Sequence, residues 1–430
     1  MSSILSSKQR QFLAGVIYAL AIAQISNCSG KHSNGTSKAR GKGGRAGVVT
    51  AGTSSTLDQG GADTAGTDTA GADTAGTDTA GTAGTGSQYT VAMVQSSKEN
   101  ATDISQADVM AMVSEAITNA GGLGFIVDGQ TVVLKPNLVT PYVGCWSSGT
   151  ALPQTVNGVT TDWRVTKAVA DLVRSLNPTG KILVMEGSNR NTTTAFSLLG
   201  YTSANFGSSV DEFIALEGSG CSNRSTAGLI QKPGASGKQY WVNEQYFNAD
   251  LVISIGAMKT HSSAGITGCV KNVGIGTTPN SQYSVSTNAA DCTRNMSQSS
   301  QASYIDHSTL VLSNFISDYY SIRPPDFAVM DGLQGLQHGP CTANAPASDK
   351  MNMRLILASR NAVALDTIET LVMGCDPQLV PHLTNAAANG LGTTDPSNIT
   401  LVGTRQDATD AITVDDVRKP FASGVPGVCN

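Results

Sequence analysis

Lys259, Thr260, His261, Lys271 and Asn272 fall together in residues 248–276, NADLVISIGAMKTHSSAGITGCVKNVGIG. Two amines, an imidazole and an amide in one stretch suit a small anion, a carboxylate or a phosphate. The lysines supply charge, Asn272 offers a neutral donor and acceptor, and Gly265 and Gly268 let backbone N–H groups come close to a ligand. An imidazole titrates near ~6.5 and neighbouring ammoniums push it lower, so His261 is expected as a proton acceptor. Lys259 and Lys271 are its expected catalytic partners. The plain alternative is a glycine-rich connection whose lysines point to water.

A site of this kind needs elements that hold it. The run Leu251-Val252-Ile253-Ser254-Ile255 has the β-branched content of a strand buried on both faces. Other strands are expected at Tyr89–Gln95, Thr131–Lys135, Lys181–Glu186, Val210–Leu216, Phe327–Met330, Arg354–Ala358 and Ile399–Val402, with Gln239–Asn243 at an edge. Helices with apolar positions at the 3.6 period lie between them: one capped by Ser105, one capped by Thr161 or Asp162, and others over Ile305–Tyr320 and Asn361–Met373. This alternation predicts an α/β fold, a mostly parallel sheet covered by helices, with a disordered N-terminal tether.

In such a sheet the strand ends gather at one edge, where ligands bind. Those ends carry Lys135-Pro136-Asn137, Glu186-Gly187-Ser188-Asn189, Lys259-Thr260-His261 and Asp331-Gly332. Lys135, Asn137, Asn272 and Asp331 are therefore the expected ligand-binding residues. Lysines 135, 259 and 271, crowded together, should lower one another's pKa, so that one of them could accept a proton near neutrality. His307 reads as a capping or surface residue, His338 as part of a loop, and His32 and His382 carry no signal. Asp366 interrupts an apolar helix face, and a lysine is its expected partner.

The balance of 27 Lys+Arg against 32 Asp+Glu, without a basic block in the folded part, argues against nucleic acid. Residues 1–28 resemble an export signal: Lys8 and Arg10 precede an apolar run from Phe12 to Ile25 that is short for a membrane span. The run ends at Cys28, which is either lipidated as an anchor or removed by cleavage. Residues 29–87 contain four pentads of the type ADTAG or TDTAG and are too poor in apolar residues to fold, which makes them a linker. The ligand-binding domain then spans 88–403 and a tail 404–430. The expected location is the periplasm, outer membrane or cell surface. In that setting disulfides are the default reading of the eight cysteines, and no CxxC pair suggests a cluster. With Cys28 lipidated or removed seven remain, so at least one is unpaired or bridges chains, and Cys269 is the candidate free thiol.

The stretches VVLKPNLV (132–139), GSNRNTTTAFSLLGY (187–201), DLVISIGAMKTHSSAGITGCVKNVGIG (250–276), FAVMDGLQG (327–335) and NAVALDTIETLVMG (361–374) resemble the uncharacterised family called domain of unknown function 362. That resemblance covers roughly 89–402 and implies no reaction. More distantly, His261 to Lys271 is similar to the H-x-x-A-G-x-S-G-G-x-K stretch of the lactate-racemase family, which uses a nickel pincer nucleotide. By that resemblance His261 is the base and Lys271 the cofactor anchor. Cys269 stands where that family has its second glycine, and no histidine follows Lys271 before His307. The resemblance thus marks where the site lies and leaves metal and cofactor open.

The function expected from the sequence is an exported, surface-tethered protein binding a small anion, as an enzyme with His261 as base. The alternatives are a binding module without turnover, a racemase-like cofactor enzyme, and a structural surface protein.

Overall fold

The computed structural model describes residues 88–145, 149–188, 192–216, 225–283, 308–341, 347–406, 408 and 410–429. The expected export signal and linker, Cys221, Cys292 and His307 lie outside the described residues.

Eleven strands are described. In chain order these are β1 (Tyr89–Gln95), β2 (Thr131–Pro136), β3 (Lys181–Glu186), β4 (Glu212–Ala215), β5 (Leu229–Pro233), β6 (Gln239–Asn243), β7 (Leu251–His261), β8 (Gly265–Ile266), β9 (Phe327–Leu336), β10 (Lys350–Ser359) and β11 (Ile399–Arg405). The main sheet runs β11-β1-β10-β9-β7-β2-β3-β4, with β8 paired to β7 alone. From β9 through β7 and β2 to β4 the neighbours are parallel, whereas β10 runs antiparallel to both β1 and β9. The mostly parallel α/β fold read from the sequence is the fold observed. β5 and β6 form a separate antiparallel hairpin.

The covering helices are α1 (Gln106–Asn119), α2 (Trp163–Leu176), α3 (Thr192–Leu198), α4 (Gly268–Gly276), α5 (Thr309–Tyr320), α6 (Ala362–Val372) and α7 (Pro381–Ala388). Ser105 closes a reciprocal capping box on α1 with Asp108, and Asp162 caps α2. Two apolar layers follow from the period-two alternation of β7. Val252 and Met258 join the layer under α4 to α7, and Ile253 and Ile255 join the layer under α1 and α2. Each such side chain buried contributes roughly 1.5–3 kcal/mol.

Two local expectations are corrected. First, β7 continues through Lys259, Thr260 and His261, every residue of it buried, because its end folds back to pair Thr260 with Ile266 and His261 with Gly265. The polar side chains there mark polar neighbours inside the protein rather than an exit to solvent. Second, the glycine-rich segment is helix α4, with Lys271 and Asn272 inside it. Its glycines serve close approach: a Cβ at Gly268 would stand 2.3 Å from the Asp366 carboxylate, and one at Gly274 2.6 Å from the Ile316 carbonyl. The residues after α4 are also no surface excursion at first, since 277–283 are buried.

The C-terminal segment packs back on the domain. Cys375 and Cys429 form a disulfide, and Phe421 is 2% exposed. The Ala422 carbonyl accepts from Thr260 Oγ1 at 3.0 Å and from the His338 N–H at 3.2 Å. The segment thereby braces the β7–β8 turn that follows His261.

Candidate functional site at the carboxyl ends of β2 and β7

The parallel pairing of β2 with β7 sets Lys135 beside Ser254 and Pro136 beside Ile255, and brings both strands to the same edge. α4 lies across that edge. A Cβ at Gly276 would meet Lys135 Nζ at 2.6 Å, so the helix can sit directly on the amine.

One hydrogen-bond network joins four of the residues read from the sequence. Lys135 Nζ pairs with Glu186 and donates to Asn272 Oδ1 at 3.0 Å and to the Pro136 carbonyl at 2.6 Å. Asn137 Nδ2 also donates to Asn272 Oδ1, at 3.2 Å, and Asn137 Oδ1 accepts from Lys259 Nζ at 2.7 Å. Asn272 Nδ2 donates to the Lys135 carbonyl at 2.8 Å and to Ser254 Oγ at 3.1 Å. The second acceptor of Lys259 Nζ is the Val159 carbonyl. Lys135, Asn137, Lys259 and Asn272 are all buried. Glu186, which the sequence marked only as a strand end, supplies the carboxylate of this network.

Lys259 differs from Lys135 in having only neutral acceptors. Burial holds its pKa well below that of an ordinary lysine. The charge of Lys271 adds to the depression, and Glu186 and Glu369 oppose it. Lys271 sits on α4, close enough to act on Lys259 through its charge, as the sequence expects of crowded lysines.

His261 ends β7 and is buried. Its Nδ1 accepts from the N–H groups of Ser263 at 3.1 Å and Ala264 at 3.2 Å. A ring nitrogen that accepts carries no hydrogen, so the imidazole in this geometry bears its hydrogen on Nε2.

Asp331 is not hydrogen-bonded to the lysine network; it reaches the Asp162 N–H, next to the Thr161 that bonds Asn137. Its carboxylate accepts from the N–H groups of Asp162 at 2.7 Å and Leu333 at 3.0 Å, and its pKa is raised to about 7 by burial and by the neighbouring Asp162. Asp366 pairs with the start of α4 instead of the expected lysine. It accepts from the N–H groups of Cys269 at 2.7 Å and Val270 at 2.8 Å, where the helix dipole favours an anion. Burial raises it to about 7, against the pull of those two N–H groups. Cys269 carries a free thiol as read from the sequence, buried and with its pKa pushed well up by burial and by Asp366. His338 instead meets Asp349 at 2.9 Å on the surface.

Sequence reasoning missed Glu369 and His382. Both are fully buried. Burial, and then Asp366, raise Glu369 well above the usual carboxylate range. Burial, and then Lys271, lower His382 to about 3. Leu365-Asp366-Thr367-Ile368-Glu369 held a signal for the first: two acids three residues apart on an otherwise apolar helix. Among the described residues, no group of three or more His, Cys, Asp and Glu could hold a metal.

The family described as domain of unknown function (DUF362) matches residues 132–370, which include every residue of the lysine network. No curated protein matches the chain. Among solved structures, the lactate racemase apoprotein from Thermoanaerobacterium thermosaccharolyticum is similar at 14% identity and a TM-score of 0.37. The match covers 67% of this chain and 58% of that one, so this chain spans less than two thirds of that protein's length.

Proposed function

We propose a function for a chain that belongs to the domain of unknown function (DUF362) family: it binds a small anion, a carboxylate or phosphate, at the ends of β2 and β7, and Lys259 exchanges a proton there. The observation that carries this reading is the hydrogen bonding of Lys259 Nζ. A neutral amine has two hydrogens and one lone pair. Both hydrogens are used, on Asn137 Oδ1 and the Val159 carbonyl, which leaves the lone pair as the position for an incoming proton. Once protonated, the amine has a third N–H and a charge, both of which favour an anion. Lys271 supplies the fixed charge. The role of proton acceptor, expected at His261, passes to Lys259 in this reading, because the His261 Nδ1 lone pair is already taken by the N–H groups of Ser263 and Ala264 and the ring hydrogen is on Nε2.

Calorimetric titration with inorganic phosphate and acetate tests the reading. Lys271→Met is expected to remove binding, and His261→Gln to weaken it about tenfold, the loss of one hydrogen bond to a charged ligand. Binding that survives both substitutions unchanged would make the stretch scaffold.

Export and tethering belong to the same proposal. They rest on the apolar run from Phe12 to Ile25, on Cys28 and on the pentads. Incorporation of labelled fatty acid into the wild type, lost in Cys28→Ser, tests the anchor.

A further inference from the structure

Beside Lys271, on the helical side of the sheet edge, three side chains leave polar atoms without a hydrogen-bond partner among the described residues. These are both carboxyl oxygens of Glu369, both ring nitrogens of His382 and Oγ1 of Thr267. None of the three residues is more than 1% exposed. Buried polar atoms are nearly always satisfied in native proteins, so a group of them calls for a hydrogen-bonding occupant.

Helix geometry brings the three together. Thr267 precedes α4 and Lys271 follows four residues later, so the two lie on one face a turn apart. On α6, Asp366 and Glu369 are three residues apart. Asp366 grips the N–H groups of Cys269 and Val270, which turns the face bearing Glu369 toward the start of α4. The Lys259 N–H points toward Glu369, and the Ala264 carbonyl toward His382, each without completing a hydrogen bond. The charge of Lys271 is felt at His382.

We infer that the anion held by Lys259 and Lys271 also carries several hydroxyl groups, as a sugar phosphate or sugar acid does, and that Glu369, His382 and Thr267 bind those hydroxyls. This rests on the anion-site reading above. The match is one of charge and hydrogen-bonding type. Burial raises Glu369 well above the usual carboxylate range and lowers His382 to about 3, which favours the uncharged form of each. An uncharged carboxyl, a neutral imidazole and a threonine hydroxyl each both donate and accept. Hydroxyls also do both. An apolar group would leave every one of these atoms unpaired, and a second charge would meet no opposite charge among them.

The test is calorimetry on the full chain with two pairs of probes, inorganic phosphate against glycerol 3-phosphate and acetate against gluconate. The hydroxylated member of at least one pair should bind tenfold or more tightly, since sites built to pair hydroxyls discriminate strongly against ligands that lack them. Glu369→Leu and His382→Leu should bring that ratio below about threefold. Glu369→Gln and His382→Gln, closer in size and polarity, carry the test if the leucine variants do not melt cooperatively, and each should lower the ratio by at least threefold. Equal binding within both pairs would overturn the inference and leave the anion site standing, with water satisfying the orphaned atoms. A preference that survives the substitutions would overturn it too, because the hydroxyls would then bind elsewhere. Absence of all anion binding would remove the anion site and this inference with it.

Discussion

Asp366 and Glu369 sit one turn apart on α6, both fully buried, and are treated in opposite ways. Asp366 receives two backbone N–H groups from the start of α4, whereas Glu369 receives no hydrogen bond among the described residues. The same contrast separates the regions around them. In the network of Lys135, Asn137, Lys259 and Asn272, amides and amines are joined by hydrogen bonds of 2.7 to 3.2 Å, with the Glu186 carboxylate paired to Lys135. Among the described residues, Thr267 Oγ1, the Glu369 carboxyl oxygens and the His382 ring nitrogens complete no such bonds. A buried polar group costs free energy unless it is paired, so the first region can hold itself together and the second is suited to something that arrives later.

Substitutions at the two carboxyls should break this comparison most sharply. Asp366→Ala strands two buried N–H groups and uncaps α4, and should lower the unfolding free energy by roughly 3–5 kcal/mol in urea titrations. A cost below about 1 kcal/mol would mean that the cap is not what fixes α4.

Asp331 and Asp366 should each contribute a loss of stability as pH rises. Asp331 and Asp366 have folded pKa values raised to about 7 from an ordinary 3.8. At these two carboxyls the folded state binds more protons than the unfolded state between these limits. His382, lowered to about 3, and Lys259, held well below the usual lysine range, act in the opposite sense. The stabilisation from the two carboxyls is therefore complete below about pH 4 and is lost as pH rises through about 7. Asp331→Asn removes one of the falling contributions and leaves those of His382 and Lys259. The difference in urea midpoint between pH 5 and pH 8 should therefore move toward higher stability at pH 8 than in the wild type. A difference unchanged in Asp331→Asn would contradict the assignment.

Asn272→Ala comes next. It removes the acceptor shared by Lys135 and Asn137 and the donor to the Lys135 carbonyl, at a cost of roughly 2–3 kcal/mol. Glu369→Leu should have the smallest effect, neutral or stabilising by up to about 1 kcal/mol in the absence of ligand, since it deletes an orphaned buried carboxyl. Destabilisation of Glu369→Leu comparable to that of Asp366→Ala would erase the contrast.

Strand ends were legible in the sequence because a run of Val, Leu and Ile stops abruptly at a polar residue. Lys135, Asn137 and Glu186 were found in this way. Lys259 was found for the wrong structural reason. Its polarity looked like an exit from the strand, but β7 runs on to His261 because β8 offers it a partner. α4 was hidden by its own glycines, which read as a loop and are needed so that Asp366, Ile316 and Lys135 can approach. The partner of Asp366 was not legible, since a helix start reached across more than ninety residues leaves no local trace. His382 was missed because PHLTNAAA resembles any short surface helix, and its burial depends on α7 packing against the rest of the domain.

Proton uptake on anion binding tests the central claim most directly. Phosphate would be titrated into the protein at pH 8 in two buffers of different ionisation enthalpy, and the difference in apparent heat gives the protons exchanged. A Lys259 amine held well below the usual lysine range by burial, and favoured in its charged form by an anion beside it, predicts net proton uptake on binding, abolished in Lys259→Met. Phosphate binding with no proton exchange, or with uptake unchanged in Lys259→Met, would contradict it.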